Sequence, residues 1–418
     1  MDERTYLRDL VHRYVEVSQR PDQDARRDLW RRHNSLQATR PPIYIRAFAW
    51  HEMPAARLQC EDALHRHYED FLLRHLFWDG LGDDSIFEPW LTVRAEHLCS
   101  GWGVTADRHR TETRGSFKVD YPIREPGDME RLHAPRHEID EVATAQKVAR
   151  VEDLFGDLIT LDIDRGPAYW TWSADLSTDL GYLRGIEHFM VDMLDQPQWL
   201  HDLLGFMSEG VQRAQQQAET AGDWGLSDHY NQAMAYSQEL PDPQANQRGV
   251  TRDQLWCFTA AQEFTGVSPA MHEEFLLRHQ MPIMEPFGLV AYGCCEDLSE
   301  KIDMLRKVPN LRRIAVSPMA DVTRCAQQIG GDYVFSYRPS PTDMVGYGLD
   351  ENRVLDLLRA DLTACRDCCV DITLKDVETV EADPQRVVVG HLAAHRVAED
   401  DRGAVPVELS ALLVAGAG

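Results

Sequence analysis

The chain has 418 residues, of which 43% are hydrophobic and 27% are charged, and this balance is typical of a folded globular protein rather than a disordered one. Its 69 acidic residues outnumber its 43 Lys and Arg residues, which gives a formal charge of −26. Because such a surface repels nucleic-acid phosphates and anionic lipid headgroups, we expect no nucleic-acid partner and no membrane partner.

The sequence shows no targeting signal. Residues 1–10 carry charges throughout and lack the apolar centre of a signal peptide. The apolar stretch at 404–418 is too short to span a bilayer. We therefore predict a cytoplasmic protein whose nine cysteines stay reduced, and reduced cysteines are better suited to metal binding or catalysis than to disulfides.

The first third of the chain alternates helical and extended patterns. Apolar side chains at helical spacing predict an N-terminal helical extension over residues 1–40, which Pro41 and Pro42 end. The elements predicted next are a strand at 43–48, a helix at 54–77, a strand at 90–94 and, in the threonine-rich stretch 105–119, a hairpin outside the main fold.

The remainder of the chain repeats a short apolar run followed by a helical pattern. Strands are predicted at 168–173, 225–230, 256–263, 288–294, 313–317, 333–336 and 370–375. With 225–230 set aside as an extra strand, eight parallel strands alternate with helices, which is the plan of a (β/α)8 barrel. We predict an α/β fold with one TIM barrel over residues 41–400, excursions near 100–150 and 222–250, and a flexible tail at 401–418.

The strongest chemical signal lies where the fifth predicted barrel strand ends, in Ala291-Tyr292-Gly293-Cys294-Cys295-Glu296. Reacting groups of such barrels lie at the carboxyl ends of the strands, and thiolates near carboxylates are zinc ligands. Cys294 and Cys295 are therefore candidate metal ligands, as is His229, which ends the short run Ser227-Asp228-His229. Buried packing for the two cysteines and a capping role for His229 remain open alternatives.

Other strand ends supply candidate catalytic and substrate-binding groups. Glu263 follows an apolar run in which a carboxylate needs a partner, and it joins Asp376 and Glu378 as a candidate catalytic residue. The candidate substrate-binding residues are Arg46, Trp172, Tyr292 and Arg338. Salt bridges for the arginines and core packing for the aromatic residues are the open alternatives, and Lys375 with Asp376 is consistent with a pair that only closes the barrel.

Several common catalytic motifs are missing from the sequence. It contains no Gly-rich phosphate loop, no Gly-x-Gly-x-x-Gly, no His-Glu-x-x-His and no Gly-x-Ser-x-Gly. These absences argue against nucleotide-dependent and serine-hydrolase chemistry. The Cys-x-x-Cys-Cys run at 365–369 precedes the last strand, at the wrong end of a barrel for catalysis, and is interpreted as packing.

Four stretches, taken in order, resemble the uroporphyrinogen decarboxylase superfamily, which includes zinc-dependent methyltransferases that act with corrinoid proteins. The stretches are Gly185-Ile186-Glu187-His188-Phe189-Met190 with Leu194-Asp195-Gln196-Pro197, the segment 266–275, which resembles the superfamily's Ser-Pro-x-x-Phe helix, the Cys294 tip, and residues 370–380 with Asp383-Pro384-Gln385-Arg386. The resemblance covers roughly residues 150–400 and, faintly, the first strand, and it implies a TIM barrel.

The sequence departs from this superfamily at the positions that carry its chemistry. The decarboxylases have Arg-Gln-Ala-Gly-Arg at the first strand end, where this chain keeps only Arg46, so porphyrinogen decarboxylation is not expected. The methyltransferases carry His-x-Cys where this chain has Tyr292 and Cys294, and their second cysteine falls near residues 376–378. The resemblance therefore implies a modified zinc site.

The resulting functional hypothesis is a zinc-dependent methyl or alkyl transferase that acts on a small molecule, with a corrinoid on a partner protein as an open possibility. The alternatives are a metal-free decarboxylase or lyase acting on a carboxylated substrate, and a non-catalytic docking partner. Whether the chain forms a homodimer is left open.

Overall fold

The structure is a computed structural model, and it describes residues 2–46, 48–99, 101–110, 117–344, 348, 350–383 and 386–387. The predicted tail at 401–418 lies outside these residues. Among the described residues, no helix is both long enough and apolar enough to cross a bilayer.

The central feature is a six-stranded parallel sheet with the order β1-β10-β9-β8-β7-β6. Its strands are β1 (Ile43–Ile45), β6 (Trp256–Thr259), β7 (Leu289–Tyr292), β8 (Leu311–Val316), β9 (Val334–Tyr337) and β10 (Cys369–Leu374). A separate parallel pair consists of β2 (Trp90–Arg94) and β5 (Thr160–Asp164). The strands β3 (Asp107–Arg110) and β4 (Phe117–Asp120) form the antiparallel hairpin predicted at 105–119.

The prediction of a closed eight-stranded barrel holds only in part, because the eight parallel strands divide into a sheet of six and a pair. Acidic side chains occupy the free edge of β1: Ile43 N donates to Asp84 Oδ2 and Ile45 N to Asp83 Oδ2, both at 2.8 Å. At the other edge, Trp256 N donates to His229 Nδ1 at 3.2 Å. Side chains therefore satisfy backbone donors that would pair with neighbouring strands in a closed barrel.

Two predicted strands are wrong. Residues 168–173 do not form a strand, because Trp170 packs in the core against Trp224 and Phe287, with ring centroids 5.0 and 4.9 Å apart, and the chain then enters a 3-10 turn. The strand that pairs with β2 is β5, eight residues earlier in the chain. Residues 225–230 contain a 3-10 turn in which Gly225 N donates to Asp228 Oδ2 at 2.8 Å.

Twelve α-helices surround the strands within the described part of the chain. They are α1 (Glu3–Ser18), α2 (Pro21–Asn34), α3 (Ala63–Leu81), α4 (Glu141–Phe155), α5 (Ser177–Leu183), α6 (Ile186–Asp195), α7 (Pro197–Ala221), α8 (Pro269–His272), α9 (Arg278–Met284), α10 (Ile302–Leu305), α11 (Val322–Ile329) and α12 (Glu351–Ala364). A π-helical turn, Glu273–Leu277, joins α8 to α9. The predicted N-terminal extension thus contains two helices, α1 and α2.

A buried ionic network joins the N-terminal extension to the sheet. Asp371 on β10 pairs with Arg313 on β8 at 2.7 Å and lies 3.1 Å from His33 Nε2 on α2. All three side chains are buried. Because a buried charge must be paired, this network fixes α2 against the strands.

The two faces of β7 pack into different parts of the core. Val290 and Tyr292 belong to the main cluster shared with the helices. Leu289 and Ala291 belong to a second cluster, which also contains Cys294. Side chains of successive strand residues point to opposite faces of the sheet, which explains how Leu289–Tyr292 divide between the two clusters. The turn at Gly293 then brings Cys294 to the same side as Ala291.

Candidate functional site

The site begins at the glycine turn that follows β7. Gly293 has φ +96°, in the left-handed region that favours glycine, and its N–H donates to Thr259 O at the end of β6 at 2.9 Å. An added Cβ there would lie 2.7 Å from Leu298 Cδ1. The turn directs Cys294 inwards, where it is buried, and leaves Cys295 exposed.

The two cysteine sulfurs share one lysine from the end of β10. Lys375 Nζ lies 3.1 Å from Cys294 Sγ and 3.1 Å from Cys295 Sγ, and the sulfurs are 3.6 Å apart. Lys375 Nζ also pairs with Asp376 Oδ2 at 2.5 Å. The four residues, which we name the dithiol centre, join the carboxyl ends of β7 and β10.

The dithiol centre favours one thiolate. The hydrogen bond from Cys295, with the positive charges of Arg338 and Lys375, outweighs burial and lowers the pKa of Cys294 to about 4. The same contact and burial raise the pKa of Cys295. Burial and Arg338 oppose the charge of Lys375, but Cys294 and Asp376 outweigh them and raise its pKa. The pair therefore holds one proton beside a lysine cation at neutral pH.

Two buried charged side chains hold the backbone of Cys294. Its N–H donates to Glu296 Oε2 at 2.7 Å, and the other Glu296 oxygen accepts from Ala261 N at 2.7 Å. Arg338 donates to Cys294 O at 2.6 Å and to Gln232 Oε1 at 2.6 Å. Burial and the Cys294 thiolate raise the pKa of Glu296. These contacts fix the sulfur-bearing turn from both sides.

Arg46 faces the dithiol centre from the end of β1. It donates to Tyr230 OH at 2.9 Å and lies 5.9 Å from the centroid of the Trp172 ring. Burial opposes its charge, but Tyr230 and Tyr44, with smaller contributions from the dithiol centre, raise the pKa of Arg46. Its hydrogen bond to a phenol and its contact with an indole leave guanidinium N–H groups that can bind an anionic substrate group.

Glu263 lies in a group of acidic side chains at the end of β6. Its Oε2 accepts from Ser177 Oγ at 2.7 Å, and burial raises its pKa, with the Cys294 thiolate adding to the rise. Burial and Glu263 raise the pKa of Asp175 well above its usual value. Burial raises the pKa of Asp179 to about 6. These carboxyls can hold protons for the site.

Two of the candidate residues, Tyr292 and His229, lie away from the dithiol centre. Tyr292 points to the helix layer, where its OH lies 3.0 Å from His272 Nε2 and donates to Gln280 Oε1 at 2.8 Å. His229 contacts Trp256 at the start of β6, about 10 Å of strand below the level of Gly293. Glu378 is exposed. The structure thus brings together Arg46, Trp172, Glu263, Cys294, Cys295, Arg338 and Asp376.

The donor set does not fit the expected zinc ion. Two sulfurs at this separation could each reach a zinc ion at about 2.3 Å, but the Lys375 ammonium already lies against both sulfurs and against Asp376. In the part of the chain that the structure describes, no group of three or more His, Cys, Asp or Glu side chains is arranged to hold a metal ion. His229, the third candidate ligand, lies at the other end of β6.

The sequence interpretation underestimated Lys375 and missed three other residues. Lys375 is not only the partner of Asp376, since it also holds both sulfurs. Glu296, Tyr230 and Asp175 contribute through contacts between distant segments. Glu296 carried one usable signal, because it directly follows the cysteine pair in a strand-end turn.

Comparisons with known proteins give a similarity of fold. No protein-family model matches the chain, and no curated protein matches it. A solved structure of a methyltransferase from Methanosarcina mazei is similar to it with a TM-score of 0.52 and 10% sequence identity, over 90% of this chain and 98% of that chain. This similarity covers nearly the whole chain and shows a shared fold, while the six-stranded parallel sheet with its helices is consistent with a TIM-barrel-like architecture.

Proposed function

We propose that the protein is an enzyme that transfers a methyl or other small alkyl group through a thiolate of the dithiol centre. The observation that carries the proposal is the contact of Lys375 Nζ with both sulfurs at 3.1 Å. A lysine cation keeps a thiol deprotonated without a metal ion, and a thiolate is the nucleophile that alkyl transfer requires. The similarity of fold to a solved methyltransferase is consistent with this reaction class.

The reaction is a nucleophilic displacement. The thiolate attacks the alkyl carbon of the donor, a carbon–sulfur bond forms, and the bond to the leaving atom breaks with its electron pair on that atom. Glu263, whose pKa burial raises, supplies a proton to the leaving atom when it needs one. A nucleophilic acceptor, such as a second thiolate, then attacks the alkyl carbon of the thioether, and the carbon–sulfur bond breaks with its electron pair on the cysteine, which restores the thiolate.

The substrate carries an acidic group. Arg46 contacts a phenol and an indole, and buried Arg338 donates to a backbone carbonyl and an amide oxygen. The site places three cations, Arg46, Arg338 and Lys375, beside one thiolate and Asp376, so an anionic group on the substrate would offset the excess positive charge. The indole of Trp172 beside Arg46 forms a wall against which an apolar part can pack. A methyl group carried by a corrinoid on a partner protein is a second donor to test.

The experiment incubates the protein with two sets of donors. The first set contains small methyl ethers and methyl thioethers that carry a carboxylate, and the second is a methylated corrinoid. We expect the peptide that contains Cys294 and Cys295 to gain the mass of one CH2 group, measured by peptide mass spectrometry. The double variant Cys294→Ala/Cys295→Ala should abolish the gain, whereas Cys257→Ala, a buried cysteine on β6, should keep it. Equal turnover of the donors by the Cys257→Ala variant and the double variant would overturn the proposal.

Metal analysis of the purified protein tests the same site independently. Because the Lys375 ammonium already contacts both sulfurs, we expect well under one zinc ion per chain and no loss of thiol reactivity after treatment with a chelator. One zinc ion per chain in the wild type, absent from Cys294→Ala, would show instead that zinc displaces Lys375.

The second candidate function is a decarboxylase or lyase acting on a carboxylated substrate. The observation in its favour is the acidic group of Asp175, Asp179 and Glu263, whose raised pKa values suit the protonation of a carbanion. It predicts turnover that survives the double variant Cys294→Ala/Cys295→Ala and is lost in Glu263→Gln. The alkyl-transfer proposal predicts that the double variant has no turnover.

A further inference from the structure

The neighbouring cysteines of the dithiol centre also form an arrangement suited to reversible oxidation. Their sulfurs are 3.6 Å apart, and Lys375 Nζ contacts both. Cys295 is exposed, whereas Cys294 is buried. Cysteines that sense oxidants have thiolate character, are accessible to solvent and lie close enough to a second thiol to form a disulfide.

We propose that Cys294 and Cys295 are a site of modification by small hydroperoxides, which convert the pair into a reversible disulfide between neighbouring residues. Oxidation of the pair is a different reaction from alkyl transfer. The effect of oxidation on activity rests on the proposed function. With the disulfide formed, no thiolate remains beside Lys375, and alkyl transfer stops.

The oxidation takes place in two balanced steps. The reaction begins with transfer of the Cys295 proton to the Cys294 thiolate across the 3.6 Å contact, which places the negative charge on the exposed sulfur of Cys295. That thiolate attacks a peroxide oxygen, the O–O bond breaks, and Cys295 becomes a sulfenic acid while the alkoxide or hydroxide leaves. The Cys294 thiol then attacks the sulfenic sulfur, the disulfide forms, and water leaves with the Cys294 proton.

The geometry of neighbouring residues makes this disulfide easy to reduce. Consecutive Cα atoms are about 3.8 Å apart, closer than the roughly 4.4–6.8 Å usual for disulfides. A strained and exposed disulfide is more oxidising than a structural one. Ordinary thiols therefore restore the pair, which makes the modification a switch rather than damage.

The chain contains a matched control in a second consecutive pair, Cys368 and Cys369. The sulfur of Cys368 contacts Ala326 O at 3.6 Å, and the sulfur of Cys369 contacts His33 Nδ1 at 3.4 Å. These partners belong to α11 and α2, so the two thiols face different elements. Burial and the neighbouring Asp367 raise the pKa of Cys368 to about 11.

The test treats the full-length protein with hydrogen peroxide and maps all nine cysteines by differential alkylation and mass spectrometry. We expect the peptide with Cys294 and Cys295 to lose two hydrogen atoms at least tenfold faster than the peptide with Cys368 and Cys369. Dithiothreitol should reverse the loss fully. Cys294→Ser should instead leave Cys295 as sulfenic acid that a dimedone probe traps.

Two outcomes would overturn the inference. One is equal oxidation of the two cysteine pairs, and the other is conversion of the wild-type site to sulfinic acid that dithiothreitol does not reverse. Both are read in the wild type by mass, so a variant that fails to fold does not affect them. Because the readout does not use alkyl transfer, a failed methyl-donor experiment and a failed oxidation experiment are distinguishable.

Discussion

Lys375 is the residue on which the chemistry of the site depends. It is buried, and its ammonium contacts Cys294, Cys295 and Asp376. A buried cation requires anionic partners, and here a carboxylate and a thiolate provide them. The lysine stabilises the charged form of the sulfur and also holds the two strand ends together.

Replacing this lysine should weaken the thiolate. In Lys375→Gln, the loss of the positive charge should raise the apparent pKa of the dithiol pair by about 1 to 3, so that the thiolate forms at a higher pH than in the wild type. The measurement is the ultraviolet absorbance of the thiolate against pH, with a chelator present because the variant exposes two sulfurs to metal ions. Lys307→Gln, which removes a surface lysine paired with Glu273, should leave the titration unchanged. An unaltered titration in Lys375→Gln would contradict the assigned role.

Among the elements, the turns at strand ends determine where the reactive groups lie. Strand β7 is buried along its whole length, and alternation alone would place Cys294 with Val290 and Tyr292 in the helix-facing core. The left-handed turn at Gly293 instead places Cys294 on the opposite face, in the cluster that contains Ala291. The π-helical turn between α8 and α9 acts similarly, because its extra residue brings His272 and Gln280 to the same helix face, where both reach Tyr292.

Gly293→Ala should therefore displace the dithiol centre. A side chain at φ +96° that meets Leu298 should cost about 1–3 kcal/mol of unfolding free energy. It should also reduce the rate of Cys294 alkylation, because the sulfur moves away from Lys375. Urea unfolding and alkylation rates provide the two measurements. Gly205→Ala on α7, where an added Cβ meets nothing within 4 Å, should be neutral or slightly stabilising. Equal behaviour of the two variants would show that the turn has no special requirement for glycine.

In the whole molecule, an incomplete barrel is held together by buried ionic contacts as well as by its core. Asp83 and Asp84 satisfy the edge of β1, and Asp371 joins Arg313 and His33. Burial alone would raise the pKa of Asp371, but Arg313 and His33 outweigh it and lower the pKa to about 2. This carboxylate thus stabilises the fold in its charged form.

Asp371→Asn should destabilise the whole molecule by about 3–5 kcal/mol, because it leaves the buried Arg313 charge without its partner. The pH dependence has a defined sign. Since the folded-state pKa lies below the ordinary value of 3.8, the wild type loses this contribution as the pH falls from about 4 towards 2, and the variant has no such loss. Urea unfolding at several pH values tests both effects, and Asp367→Asn at an exposed ion pair is the control. If both variants unfolded at the same denaturant concentration, the network would have no stabilising role.

The sequence by itself determined the order of most strands, the helical N-terminal extension, the hairpin and the strand end that carries Cys294 and Cys295, because apolar periodicity and turn residues are local properties. It placed the third strand wrongly, since aromatic residues such as Trp170 suit a strand and a core equally well. Only the tertiary structure showed that side chains of Asp83 and Asp84 cover the edge of β1 and that Lys375 contacts both sulfurs. The physical reason is that charge pairing and edge satisfaction depend on contacts between residues far apart in the chain, such as the 80 residues that separate Lys375 from Cys295, and no local pattern encodes them.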